Sequence, residues 1–141
     1  MARVVPLQRR VVRSDIHGEG LETLTRTLRH PVSGDELIVL VAAEDSRGEL
    51  FRFEYIARVA TAPPPDHVHR GQEERVEVLE GTISCRISGK ERVLTPGESL
   101  TIAPGVYHAV WNSAPSGSRS IGEYRPALDM QKIFERAFSD V

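Results

Sequence analysis

His67, His69, Glu74 and His108 combine three imidazoles with one carboxylate, the donor set that a borderline first-row transition ion takes up. His67 and His69 stand at i and i+2, so in an extended strand their side chains leave one face together and can converge on a single ion. A helix would need a spacing of i and i+3 or i+4 instead. Pro63, Pro64 and Pro65 lie immediately upstream and disfavour helical backbone, so the segment is expected to run extended. Three neutral imidazoles and one carboxylate would leave a divalent ion with a net charge near +1, still attractive to anionic oxygens. An octahedral ion would keep two positions for water, a chelating substrate or dioxygen; tetrahedral zinc would be saturated unless Glu74 dissociates or a fifth ligand is added. The expected cofactor is one divalent transition metal ion, Fe, Mn, Ni, Cu or Zn, and its identity decides between an open catalytic and a closed structural role.

The same four residues fall inside a longer pattern that resembles the cupin family. Its first motif has HxH, three or four residues, Glu, six residues and Gly, and is matched by His67, Val68, His69, Glu74 and Gly81. Its second has Gly, five residues, PxG, two residues, His, three residues and Asn, matched by Gly97, Gly105, His108 and Asn112. Ala103 departs from it, standing where the first Pro is usual, with Pro104 displaced by one; Gly105 keeps its place before His108. Residues 82–96 separate the motifs, a length that looks like the short intermotif loop of small microbial members. The resemblance implies an all-β fold, the double-stranded β-helix or jelly-roll barrel, with His67, His69, Glu74 and His108 as metal ligands. Glu73 suits the shorter form of the first motif, but only Glu74 has six residues before Gly81, and it shares strand parity with Val76 and Val78.

The elements that must position these residues follow from periodicity. Leu37 to Val41 is a β-rich run bounded by turn residues at Ser33 to Asp35 and at Asp45 to Gly48. Phe51, Phe53, Tyr55, Ala57 and Val59 alternate with Arg52, Glu54 and Arg58, so the first set is expected to face the barrel interior. After Gly81 the alternation resumes at Ile83, Cys85 and Ile87, with Gly89-Lys90 as a tight turn into Glu91 to Leu94, and again at Leu100 and Ile102. Short strands at this spacing suit a jelly roll better than βαβ units. Met130, Ile133, Phe134, Ala137 and Phe138 then form the stripe of a short C-terminal α-helix, about 128–139, with Asp129 placed to cap it. Closure over one end of its own barrel is the expected use of that stripe; docking on a second subunit is the alternative. Val4, Val5, Val11 and Val12 with Arg3, Arg9, Arg10 and Arg13 read as a strand with a cationic face, a candidate for exchange in a homodimer. One domain over residues 1–141 results, with N-terminal strands in 1–60, the motifs in 67–81 and 97–112, and the helix last.

Parity places Phe53, Tyr55, Val76, Val78, Cys85, Val110 and Ile121 around a cavity, with Trp111 near its rim. Tyr55 is the candidate general acid, and Glu123 and Arg125 share the parity of Ile121. Such a cavity, apolar and floored by a metal, suits an aromatic, enolic or polyketide-like ligand better than a free sugar. With 18 Lys+Arg against 20 Asp+Glu and a net charge of -2, no basic field for nucleic acid and no polybasic membrane anchor is present. The lone Cys85 excludes an internal disulfide framework and, among apolar neighbours, reads as a small buried hydrophobe. His17 and His30 lack ligand spacing and read as surface residues. With no signal-like or membrane-length apolar run, a cytoplasmic location is expected. Three functions fit: a metal-dependent enzyme on a small organic molecule, of dioxygenase type or a Lewis-acid cyclase or isomerase; a non-catalytic binding or sensor module; and a structural or storage barrel whose cavity is filled by side chains.

Overall fold

Alternation decides which face of each strand is buried, and it does so most clearly in the strand that carries Glu74. The computed structural model describes the backbone of residues 9–16 and 19–141 and the side chains from Arg26 onward. His17 and the Val4-Val5 portion of the expected N-terminal strand lie outside the described residues. The chain runs through β1 (Arg9–Ile16), β2 (Glu19–Arg29), β3 (Glu36–Val41), β4 (Phe51–Ala57), β5 (Glu73–Glu80), β6 (Ile83–Ile87), β7 (Lys90–Leu94), β8 (Ser99–Ile102), β9 (His108–Asn112), β10 (Ser118–Arg125), α1 (Met130–Ala137) and β11 (Ser139–Asp140). The strands make a large sheet in the order β1-β2-β3-β4-β10-β5-β8, with β11 on β2, and a smaller sheet in the order β7-β6-β9. This is the all-β jelly-roll arrangement with a short C-terminal helix that the alternation and the motifs imply.

Register in the large sheet stacks the inward residues of β4, β10 and β5 into three cross-strand rows. Phe51, Tyr124 and Glu74 form the first, Phe53, Gly122 and Val76 the second, and Tyr55, Ser120 and Val78 the third. The opposite face carries charge: Arg119 pairs with Glu54 and Glu80, and Arg75 with Glu77 and Glu123. Ile121, Glu123 and Arg125 alternate with the row residues and so belong to that outer face, which corrects the parity expected for Ile121. Val59 is 52% exposed because β4 ends at Ala57 and the chain leaves the sheet before the prolines.

The β6–β7 hairpin turns on Ser88 and Gly89, both at positive φ (48° and 83°), one residue earlier than the expected Gly89-Lys90. Two left-handed residues are what a tight hairpin needs to match strand twist. Helix α1 is shorter than expected, Asp129 makes no side-chain cap hydrogen bond, and Phe138 is already extended. The stripe still closes its own barrel. Phe134 packs with ring centroids 5.3 Å from Phe53 and 6.2 Å from Phe51, while Ile133 faces out. Arg26 on β2 holds this end down through Glu135 and through both carboxylate oxygens of Asp140.

Gly81 and Gly117 let two turns touch backbone to backbone. Gly81 has φ +75° and a Cβ there would lie 2.5 Å from the Gly117 carbonyl; Gly117 has φ +96° and its Cβ would lie 2.4 Å from the Ala57 carbonyl. Left-handed strain on a non-glycine residue costs about 1–3 kcal/mol before any clash. Gly117→Ala is therefore expected to destabilise the fold by about 3 kcal/mol in urea denaturation, and an unchanged midpoint would show that the turn can relax.

Candidate metal centre

Two separate segments meet through the backbone before any side chain is considered. His67 and His108 exchange both hydrogen bonds of an antiparallel bridge, each 2.9 Å, and the amide of Gly105 donates to the carbonyl of His69 at 2.9 Å. The amide nitrogen of the Asn112 side chain donates to the Val59 carbonyl at 2.7 Å, tying the strand of His108 to the approach of the proline segment. Glu74 arrives from a third direction, on β5, with its side chain on the inner face.

These supports bring His67, His69, Glu74 and His108 together: one ligand atom from each lies within 4.8 Å of all the others. Metal bonds of roughly 2.0–2.2 Å from nitrogen and oxygen would set donors about 3–4 Å apart, so small side-chain adjustments close the shell. The Nε2 atoms of His69 and His108 lie 3.4 Å and 3.3 Å from the same oxygen, Oε1 of Glu74. Nε2 of His69 is buried without a hydrogen-bonding partner. An orphaned buried imidazole nitrogen facing a carboxylate is costly in a polypeptide alone and is satisfied by an ion between them. His108 shows the supporting shell as well, since its Nδ1 donates to the Val106 carbonyl at 2.8 Å, which directs Nε2 at the centre. The cluster could hold a divalent metal.

Charge is balanced within the cluster. Burial alone would raise the pKa of Glu74, but the hydrogen bond from His108 and the electrostatic pull of the His108 and His69 imidazoles beside it outweigh burial and hold the carboxyl at about 2. Burial pulls His108 down, yet the Glu74 carboxylate and the Val106 carbonyl overcome it and leave this imidazole above its ordinary value. His67 is lowered by burial and then by the neighbouring His108. Below the raised His108 pKa, a proton on His108 Nε2 bridges to Glu74, and an ion must displace it. Zinc uptake near neutral pH is expected to release protons, and apparent affinity to fall about tenfold per pH unit once pH drops below the raised His108 pKa. A competition titration against a fluorescent chelator between pH 8 and 5.5 measures this; an affinity that ignores pH would remove the bridging proton.

The centre opens into a cavity of about 440 Å³ that His67 and Glu74 help to line. Phe53, Tyr55, Val76 and Val110 are in its wall as expected, and Trp111 is there with the Arg86 guanidinium 5.5 Å from its ring centre. Val78, Cys85 and Ile121 are not; Ser120, Gly122 and Tyr124 supply the β10 wall instead. Tyr55 donates its hydroxyl proton to Oδ2 of Asp35 at 2.8 Å, and burial followed by that carboxylate pushes its pKa well up. The structure thus places Tyr55 in the cavity but away from the four donors, two rows along the sheet. Tyr124 was missed by sequence reasoning. Its ring lies 5.7 Å from that of His69, and burial, then the Glu74 carboxylate it faces, pushes its phenol far above the ordinary value. Only cross-strand register with Glu74 could have revealed it. His30 is no plain surface residue either: its Nδ1 accepts from the amides of Val32 and Ser33, and its ring packs edge-on against Phe138. Among the described residues no helix is long and apolar enough to cross a membrane.

Comparison with known proteins agrees with this geometry. The model of the cupin domain family matches residues 57–117, the stretch that contains all four donors. D-lyxose/D-mannose isomerase from Escherichia coli O157:H7 is 35% identical over 52 residues, which are 37% of this chain and 23% of the isomerase, so the match spans about a quarter of that enzyme. KdgF from a Halomonas species superposes with a TM-score of 0.61 at 17% identity, covering 74% of this chain and 89% of KdgF. An RmlC-like cupin from Shewanella frigidimarina gives 0.59 at 23% identity, covering 74% and 86% of the two chains. Both likenesses are of fold. With the cupin-domain model lying across the two segments that the His67–His108 bridge joins, and with two sheets of this topology around them, residues 57–117 match the cupin domain and the chain has the cupin fold.

Proposed function

We propose that this cupin is a metal-dependent enzyme that acts on a small organic molecule with an enolic or otherwise chelating oxygen pair, in isomerase- or cyclase-type chemistry. One observation carries the reading: the four donors converge at the wall of a largely apolar cavity whose 440 Å³ falls within the roughly 300–1,000 Å³ of small-molecule pockets. A cavity of that size also argues against a barrel filled by its own side chains. The short match to a sugar isomerase supports rearrangement over other metal chemistries. A divalent ion held by His67, His69, Glu74 and His108 would supply Lewis acidity toward an enolate oxygen.

The chain's own residues have three tasks in this reading. With three imidazoles and a single carboxylate as ligands, a divalent ion held here would keep a net positive charge and so would attract an anionic oxygen. Phe53, Val76, Val110 and Phe134 in the cavity wall limit the water that competes for the same positions. Tyr124, packed against His69 and facing Glu74, restricts the carboxylate to one orientation.

Protein purified without chelator or a metal-affinity tag should contain close to one transition ion per chain by elemental analysis. Incubated anaerobically with enolisable hydroxyketones, the loaded protein should exchange the α-proton for deuterium, and His69→Ala should not. Deuterium exchange that requires no metal would refute the reading. Oxygen uptake by the iron-loaded protein with the same compounds would move the assignment to a dioxygenase.

A further inference from the structure

The third row of the large sheet carries polar groups that the metal centre does not use. Tyr55, Ser120 and Val78 face one another across β4, β10 and β5, and Tyr55 and Ser120 both line the cavity. Asp35, which also lines it, is only 7% exposed. Its Oδ2 accepts from the Tyr55 hydroxyl and its Oδ1 from the amide of Arg58, each at 2.8 Å. The guanidinium of Arg58 is turned elsewhere, onto Glu36 at 2.7 Å. Asp35 is thus a buried carboxylate with two neutral donors and, among the described residues, no cation. A carboxylate has about four acceptor positions, so it retains capacity for another donor. Ser120 is 7% exposed and its hydroxyl has no partner among the described residues, so it is free to bond a group in the cavity.

Spacing fixes where this row lies relative to the ion. Glu74 and Val78 are four residues apart on β5, which at a rise of about 3.3 Å per residue separates their rows by roughly 13 Å. The row between them offers little to a polar ligand. Gly122 has no side chain, and the Phe53 ring packs directly on its backbone, 2.4 Å from where a Cβ would stand. The cavity is therefore polar at two ends with an aromatic stretch between.

We propose that Asp35, Tyr55 and Ser120 form a second recognition point, which takes a hydroxyl group at the far end of an elongated ligand whose near end chelates the ion. Asp35 accepts a hydrogen bond from the ligand's hydroxyl, and the Ser120 hydroxyl donates one to its oxygen. This names the substrate class within the reading of the previous subsection and rests on it. The ligand is a flat two-ended molecule, an oxygen chelate and a distal hydroxyl joined by an apolar frame.

Biphenyl-4-hydroxamic acid and its 4′-hydroxy derivative are suitable probes, because both chelate and only one carries the distal group. Calorimetric titration of zinc-loaded protein should show the hydroxylated probe binding about tenfold tighter. Ser120→Ala should reduce that ratio to about two, and so should Asp35→Asn, with thermal unfolding confirming that each variant is folded. Should Asp35→Asn fail to fold, the ratio in Ser120→Ala decides. Binding that is equally strong in metal-stripped protein would overturn the metal reading and the two-ended ligand with it. Metal-dependent binding without a hydroxyl preference, or a preference that survives Ser120→Ala, would overturn the second recognition point alone.

Discussion

His108→Ala is expected to reduce affinity for zinc by about 100-fold or more, because even partners outside the ligand shell are commonly worth 10- to 100-fold. The imidazole is 1% exposed, and its Nε2 shares Oε1 of Glu74 with His69. Truncation removes one donor and also the hydrogen bond that, with His69, holds the carboxyl at about 2. The backbone bridge between residues 67 and 108 uses main-chain atoms only and should survive. The expected result is a folded protein, with an unaltered far-ultraviolet spectrum, that no longer retains metal through gel filtration. Retention at the wild-type level would exclude His108 from the donor set.

Phe51→Ala should be the most destabilising of the substitutions considered, by about 3–5 kcal/mol in urea denaturation. Phe51 is fully buried, with ring centroids 4.9 Å from Phe53, 6.2 Å from Phe134 and 6.4 Å from Tyr124. It touches sheet and helix at once, so neither can collapse into the space without losing the other. It also sits in the row of Tyr124 and Glu74, and zinc affinity should weaken alongside stability. A loss below 1 kcal/mol would mean that α1 repacks to fill the gap.

The clustering of His67, His69, Glu74 and His108 was legible because its information is local. A glutamate in phase with two valines specifies its strand face without knowledge of any partner strand, whereas the i, i+2 histidines behind three prolines were expected on a strand and instead meet β9 through a single bridge at His67. The cavity wall was less legible for the opposite reason. Apolar identity pointed inward at Ile121, yet the inward positions of β10 are Ser120, Gly122 and Tyr124. A wall that leaves room for a ligand is built from small and polar residues, whereas a charged outer face with long arginines can bury an isoleucine beneath it. Asp35 and Tyr124 were invisible to periodicity, since each matters only through a residue on another strand. The helix was read correctly in its existence and its use. Its ends were not, because Phe138 continues the apolar stripe after the backbone has already straightened to join β11.

The main-chain bridge between His67 and His108 means that the cage is assembled by folding and not by its cargo. Ordering entropy has been spent before any ion arrives, so capture should be fast and largely free of conformational change. Discrimination among cations would then fall to how closely the four side chains, His67 and His69 on the segment between β4 and β5, can bring their ligand atoms to one ion.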